Sequence, residues 1–139
     1  YKLVTGVQTC ALPILNKLYR SEPALYETDY ERGGFSWLDH NDSEHSTFVM
    51  LRSNKDASSK LLVVSHFTPT PVVGYRLGVP EVGTYQVVLN TDSQYYWGSD
   101  YDTGGLAFHS EAVAAHGQAQ SIVINLPPLA CVFIKRVGD

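Results

Sequence analysis

From residue 47 to the C-terminus, apolar and polar positions alternate with a period of two, the spacing of a strand with one buried face. In SIVINL, Ile122, Ile124 and Leu126 share a face, and in ACVFIKR, Ala130, Val132 and Ile134 share one. In GYRLGV, Tyr75 and Leu77 fall together and Arg76 points the other way. The same rule predicts strands over 47–52, 61–67, 74–78, 84–89, 107–113, 121–126 and 130–136. Between them lie SNKDASS, TPTP, VPEVG, NTDS, DTGG, HGQAQ and LPP, all rich in residues that favour turns. About seven short strands separated by turn chemistry imply an antiparallel Greek-key β-sandwich. Pro127 and Pro128 lack the N–H that a central strand must donate, so they mark a crossing between two strands.

Ahead of this region the period is helical. Leu15, Leu18 and Tyr19 follow the i, i+3, i+4 spacing of one helix face. Ser21-Glu22-Pro23 interrupts it, and Pro23 suits the first turn of a second short helix capped by Ser21 or Glu22. Gly33-Gly34 ends whatever helix remains. The fold class expected is therefore all-β, with a short helical lead-in. The organisation expected is a leader over 1–14, a helical segment over 15–34 and a sandwich domain over 35–139.

Composition narrows the function. The 139 residues suffice for one domain with its own core. A net charge of −4 offers no basic footprint for nucleic acid or an anionic membrane. The longest apolar runs, LLVV and LACVFI, are far short of a membrane span. The N-terminal stretch has no sustained apolar segment and does not read as a signal peptide. Two cysteines, Cys10 and Cys131, make no disulfide scaffold. Cys131, inside LACVFI, is expected to be a small buried residue rather than a nucleophile.

Several side chains have the chemistry for a site but not the pattern. DHNDSEH contains Asp39, His40, Asp42, Glu44 and His45, but it lacks the spacing of a metal loop and reads as a solvated connector. Asp100 and Asp102 in DYDTGG read as a flexible turn, and His66 as a hydrogen-bonded strand histidine. No GxSxG, HExxH or phosphate-cradling glycine loop is present. No catalytic residue, no metal ligand and no cofactor is expected. The run YYWGSDY, with Tyr95, Tyr96, Trp97 and Tyr101, reads as loop packing in preference to a sugar platform.

The order LNKLYRSEPAL, GFSWLDHND, HFTPTPVVGYRLGVP, LNTDS, HGQAQSIVINLPPLA closely resembles the C-terminal end of bacterial glycogen (1,4-α-glucan) branching enzymes of the α-amylase superfamily. The resemblance covers residues 15–137. It implies a C-terminal β-sandwich led by the last helical segment of a (β/α)8 catalytic barrel. It also implies a cytoplasmic setting in glycogen biosynthesis, with the barrel and α-glucan as partners. Retaining transfer needs two carboxyl groups about 5–5.5 Å apart at the ends of barrel strands, so the chain by itself is expected to be inactive. The resemblance places Trp37 on the rim where branching enzymes hold glucan, while packing of Phe35 and Trp37 against the barrel is the favoured reading, and the two are compatible. Residues 4–14, VTGVQTCALPI, resemble the translation of a sequencing adapter oligonucleotide, so 1–14 is expected to be non-native and Cys10 without a role. The alternative reading is a stand-alone carbohydrate-binding sandwich. It would present coplanar exposed aromatics, where a domain parted from a barrel would present an apolar patch.

Overall fold

The computed structural model describes residues 6–139, with side chains from residue 11 onward. The helical lead-in is α1 (Gly6–Ser21) and α2 (Pro23–Tyr26), followed by a short 3₁₀ turn at Arg32–Gly34. Eight strands follow: β1 (Phe35–Asp42), β2 (Thr47–Ser53), β3 (Lys60–His66), β4 (Val72–Val79), β5 (Thr84–Asn90), β6 (Phe108–His109), β7 (Gln120–Leu126) and β8 (Ala130–Gly138). They form a six-stranded sheet in the order β1-β2-β3-β8-β5-β6 and a two-stranded sheet, β4-β7. Every pairing is antiparallel. The chain returns from β7 across Pro127-Pro128 to lay β8 between β3 and β5, a crossed-over connection of the Greek-key kind.

The alternation read from the sequence builds the core. Val49, Leu62, Val64, Tyr85, Val132 and Ile134 from the large sheet meet Tyr75, Leu77, Val79, Ile122, Ile124 and Leu126 from the small one. Ile134 is fully buried, so truncating such a side chain to alanine is worth about 3 kcal/mol. His66 is also buried at the crossing. Its Nδ1 lies 2.7 Å from the Pro127 carbonyl and its Nε2 lies 2.7 Å from the Thr68 hydroxyl. Both ring nitrogens are thus satisfied, as a strand histidine requires when desolvated.

The outer face of the large sheet is covered in part by the helical lead-in. Ala24 of α2 is buried against Leu61 and Val63, with Leu25, Met50 and Phe133 around them. Glu22 is the α2 N-cap, as the sequence suggested, but its side chain makes no cap bond. It turns instead to Lys135 of β8, with both carboxylate oxygens within 2.9 Å of Nζ. The α1 helix begins at Gly6, upstream of the expected start at Leu15. Ala11 and Leu15, one turn apart, face Leu89, Cys131 and Phe133 across an apolar cavity of about 390 Å³. The reading of 1–14 as a leader falls partly outside the described residues, as does the Cys10 side chain.

Two expectations need correction. The connector DHNDSEH is not a loop throughout, since Asp39–Asp42 lies in β1. Register shifts at Trp37/Asp39 and Asp39/Asp42 break the period of two there, which hid the strand from a periodicity search. The expected strand over 107–113 shrinks to Phe108–His109, and beyond it only a single bridge joins Glu111 to Ser121. Among the described residues, no helix is long and apolar enough to cross a membrane.

Candidate functional site

β1 is an edge strand, and it carries Trp37 on the outer face of the large sheet. Trp37 pairs with Met50 of β2, and Phe48 pairs with Ser65 of β3. These registers place Phe48 diagonally between Trp37 and Phe67, within reach for aromatic side chains. The rings form a continuous row. Phe35 and Trp37 lie 5.0 Å apart, Trp37 and Phe48 5.8 Å, and Phe48 and Phe67 5.6 Å. His40 adds a tilted contact with Trp37 at 6.2 Å. Trp37 is 48% exposed and Phe67 58%. Beside the row opens a groove of about 560 Å³ bounded by His40, Asn41, Asp42, Ser43, Ser46 and Thr47, with Phe48 and Phe67 on its apolar side.

Ring orientation decides what this row can do. The interplanar angles are 85°, 52° and 71° along it. A flat platform for successive pyranose rings needs faces in one plane. Here the two outer pairs meet edge to face and Trp37 is tilted against Phe48, arrangements of the kind favoured when aromatics pack. The coplanar surface expected of a stand-alone binding module is therefore not what the row presents. An apolar patch with one accessible indole is.

Behind the row, a polar chain fastens the two sheets. His116 lies in the turn before β7, and its Nδ1 accepts the Gly78 N–H at 3.1 Å. That leaves Nε2 as the N–H, which donates to the Tyr75 oxygen at 3.4 Å. The Tyr75 hydroxyl donates to Thr47 Oγ1 at 3.2 Å, because Thr47 itself donates to Asp42 Oδ2 at 3.1 Å. Asp42 also receives the backbone N–H of His45 at 3.0 Å and its ring Nδ1 at 2.9 Å. Asp39 stands 3.5 Å from His116 Nε2. Burial, with the Asp42 and Asp39 carboxylates nearby, pushes the Tyr75 phenol up to about 12 against the opposing Thr47 bond. Tyr75 therefore stays a donor at neutral pH. Burial works against the Asp42 charge, but the His45 N–H, the His45 ring and the Thr47 hydroxyl outweigh it and hold the carboxyl below its ordinary value. Donors and acceptors consume one another along this chain, so it acts as a fastening between sheets.

The structure thus brings together Trp37, Phe48 and Phe67, of which the sequence singled out only Trp37. Phe48 shares the parity of Met50 in β2, which was the available signal, and Phe67 lies just beyond the end of β3. Tyr75 and His116 meet across 41 positions, which no local pattern encodes. Asp39 and Asp42 enter the fastening, while Asp100 and Asp102 lie far along the chain in a separate loop. Among the residues described, no cluster of His, Cys, Asp and Glu is arranged to hold a metal ion. Cys131 is half-buried, with its thiol 3.4 Å from Ser65 Oγ. Burial raises its pKa despite that contact, which suits a packing residue.

Comparison with known proteins agrees with the sheet architecture. The family described as "Alpha amylase, C-terminal all-beta domain" matches residues 37–137. A 1,4-alpha-glucan branching enzyme GlgB of Pseudomonas fluorescens (strain Pf0-1) is 50% identical over 121 residues, 87% of this chain and 16% of the relative. The enzyme of that name from Paramagnetospirillum magneticum is 48% identical over 122 residues, 88% of this chain and 16% of its own. That of Pseudoalteromonas atlantica is 43% identical over 125 residues, 90% and 17%. The chain therefore spans about 16% of the length of the curated relatives it matches, in their C-terminal region. With its two antiparallel sheets and a family match running from Trp37 in β1 to Val137 in β8, the chain belongs to the α-amylase C-terminal all-β domain family.

Proposed function

We propose that this chain serves as the C-terminal part of a cytoplasmic 1,4-α-glucan branching enzyme, the class that cleaves an α-1,4 glucan and rejoins the chain through an α-1,6 bond. In this reading residues 15–34 are the tail of the catalytic barrel, 35–139 are the sandwich, and 1–14 are a non-native leader. The observation that carries it is identity of 43–50% over 87–90% of the chain. So long a match spans helical lead-in and sandwich together.

The sandwich supplies no reacting group in this scheme. Its outer sheet face buttresses the barrel, and the non-coplanar row of Phe35, Trp37, Phe48 and Phe67 supports a packing role. Trp37, half exposed within that row, also offers an indole face to the glucan. The test is a chimera in which this chain replaces the C-terminal 16% of the Pseudomonas fluorescens relative. Branching, read as a loss of iodine colour from amylose, is expected to match the parent. The chain alone is expected to produce no new α-1,6 linkages. A soluble, folded chimera without activity would overturn the assignment.

A further inference from the structure

We infer that the loop between β5 and β6 carries a second α-glucan contact, made by Tyr95 and Trp97 and separate from Trp37. Both side chains are 75% exposed, which overturns the expectation that they pack within the loop. The loop that presents them is braced from below. Asp92 is buried, and its carboxylate accepts the Ser99 N–H at 2.9 Å, the Ser99 hydroxyl at 2.7 Å and the Tyr101 N–H at 2.9 Å. Its carbonyl accepts the Asp100 N–H at 2.7 Å. Gly98 closes the turn so tightly that a Cβ there would meet the Asp92 backbone at 2.1 Å.

Within this frame Trp97 adopts φ of 64°, a left-handed conformation that a bulky residue takes only when its surroundings impose it. The consequence is an indole held away from the body of the domain. Tyr96, between the two, lines the apolar cavity under α1, so the run alternates between an inward anchor and outward rings.

The surroundings of these rings favour a sugar over a protein. A protein hot spot sits within further apolar surface that excludes water. Here the chain neighbours are Gln94, Gly98, Ser99 and Asp100; the Ser99 hydroxyl is taken by Asp92, which leaves the exposed Gln94 amide and Asp100 carboxylate to pair with hydroxyls. A pyranose offers an apolar face to an aromatic ring and an equatorial belt of hydroxyls to an exposed amide and carboxylate. The choice of an α-linked glucan rests on the proposed function above.

The chain contains two tryptophans, so each site can report on itself. In the Trp37→Phe variant all indole emission comes from Trp97, and in Trp97→Phe all of it comes from Trp37. Each variant is titrated with maltoheptaose, with cellohexaose as the β-linked control. Trp97 emission is expected to shift saturably with maltoheptaose only, and Trp97→Ala is expected to weaken retardation in glycogen-containing native gels about fivefold. A response from Trp37 with none from Trp97 overturns this inference and leaves the proposed function standing. Silence from both, in variants whose circular dichroism matches the parent, overturns the glucan contact at both places. An equal response to cellohexaose overturns the α-glucan assignment of the loop.

Discussion

Replacing Arg52 with methionine tests whether the helical lead-in is part of the domain or merely rests on it. Arg52 sits on the outer face of β2, and its side chain is only 17% exposed. Its Nε donates to the Ala24 carbonyl at 3.4 Å, and Nη2 donates to the Leu25 carbonyl at 3.2 Å and to Asp29 Oδ1 at 2.7 Å. α2 is a single turn, so its last carbonyls have no intrahelical partner and depend on this guanidinium. Asp29 is more open to solvent than Arg52, and that ion pair is worth about 0.5 kcal/mol after screening. The two carbonyl bonds have a charged donor but long geometry, and together contribute about 1.5 kcal/mol. Methionine keeps most of the aliphatic stem, so the expected loss is about 2 kcal/mol. For a domain of this size that lowers Tm by about 7 °C. Urea unfolding followed by tryptophan emission reads the global change, and amide exchange reads the local one, concentrated at residues 22–29. Most of the loss is expected to persist in 0.5 M salt, because only the Asp29 part is screened. Arg52→Lys is expected to recover less than half, since an ammonium cannot span two carbonyls and a carboxylate in one plane. An unchanged midpoint with unchanged exchange at 22–29 would refute the reasoning.

Other contacts give equally definite expectations. Gly78→Ala places a Cβ 2.2 Å from the Ala115 carbonyl oxygen and breaks the approach of the His116 turn. It should cost about 3 kcal/mol in urea unfolding, and a loss under 1 kcal/mol would contradict the geometry. Glu22→Gln leaves Lys135 facing an amide on a surface that is only partly solvated, and should destabilise by about 1 kcal/mol in thermal melts. Burial opposes the Asp92 charge, but the Tyr101 N–H and the two Ser99 donors outweigh it and hold the carboxyl below its ordinary value. A depressed carboxyl stabilises the fold above its unfolded value, near pH 4, and the contribution is lost as pH falls through the folded value. Asp92→Asn should therefore lower stability at pH 7 and flatten the acid limb below about pH 4. An acid limb of unchanged slope would show that Asp92 is not linked to folding.

What the chain disclosed in advance follows from how far each interaction reaches along it. β3, β7 and β8 have clean one-sided alternation or apolar runs bounded by turns, and they form within a residue or two of expectation. β1 was invisible because two bulges turn consecutive residues, Leu38 and Asp39, toward the sandwich interior. Residues 107–113 offered alternation, but Glu111 finds only an isolated bridge to Ser121. Pro23 opens α2 because its missing N–H costs nothing in a first turn. Trp37 stood out through the family resemblance that places it on the glucan-holding rim, but the ring row needs the registers of β1, β2 and β3 together. The chain from His116 through Tyr75 and Thr47 to Asp42 joins four separated segments. Only the folded registers bring those segments within hydrogen-bonding distance.

The two roles open to Trp37 predict different readouts in the chimera. As a packing residue, it loses its contacts with Phe35 and Phe48 when truncated. Those rings are themselves partly exposed, so Trp37→Ala should cost about 1–2 kcal/mol. That cost appears as a lower Tm of the chimera, with kcat and KM for amylose unchanged well below the transition. As a sugar contact remote from the reacting bond, the indole binds ground state and transition state alike, so its loss raises KM and spares kcat. Trp37→Phe separates the two further, because a phenyl ring keeps most of the edge-to-face packing but offers a smaller face to a pyranose. A raised KM in both variants with Tm lowered only in Trp37→Ala would assign both roles to one side chain. A Tm loss without any change in KM would confine Trp37 to the buttress and leave the loop of Tyr95 and Trp97 as this domain's contact with glucan.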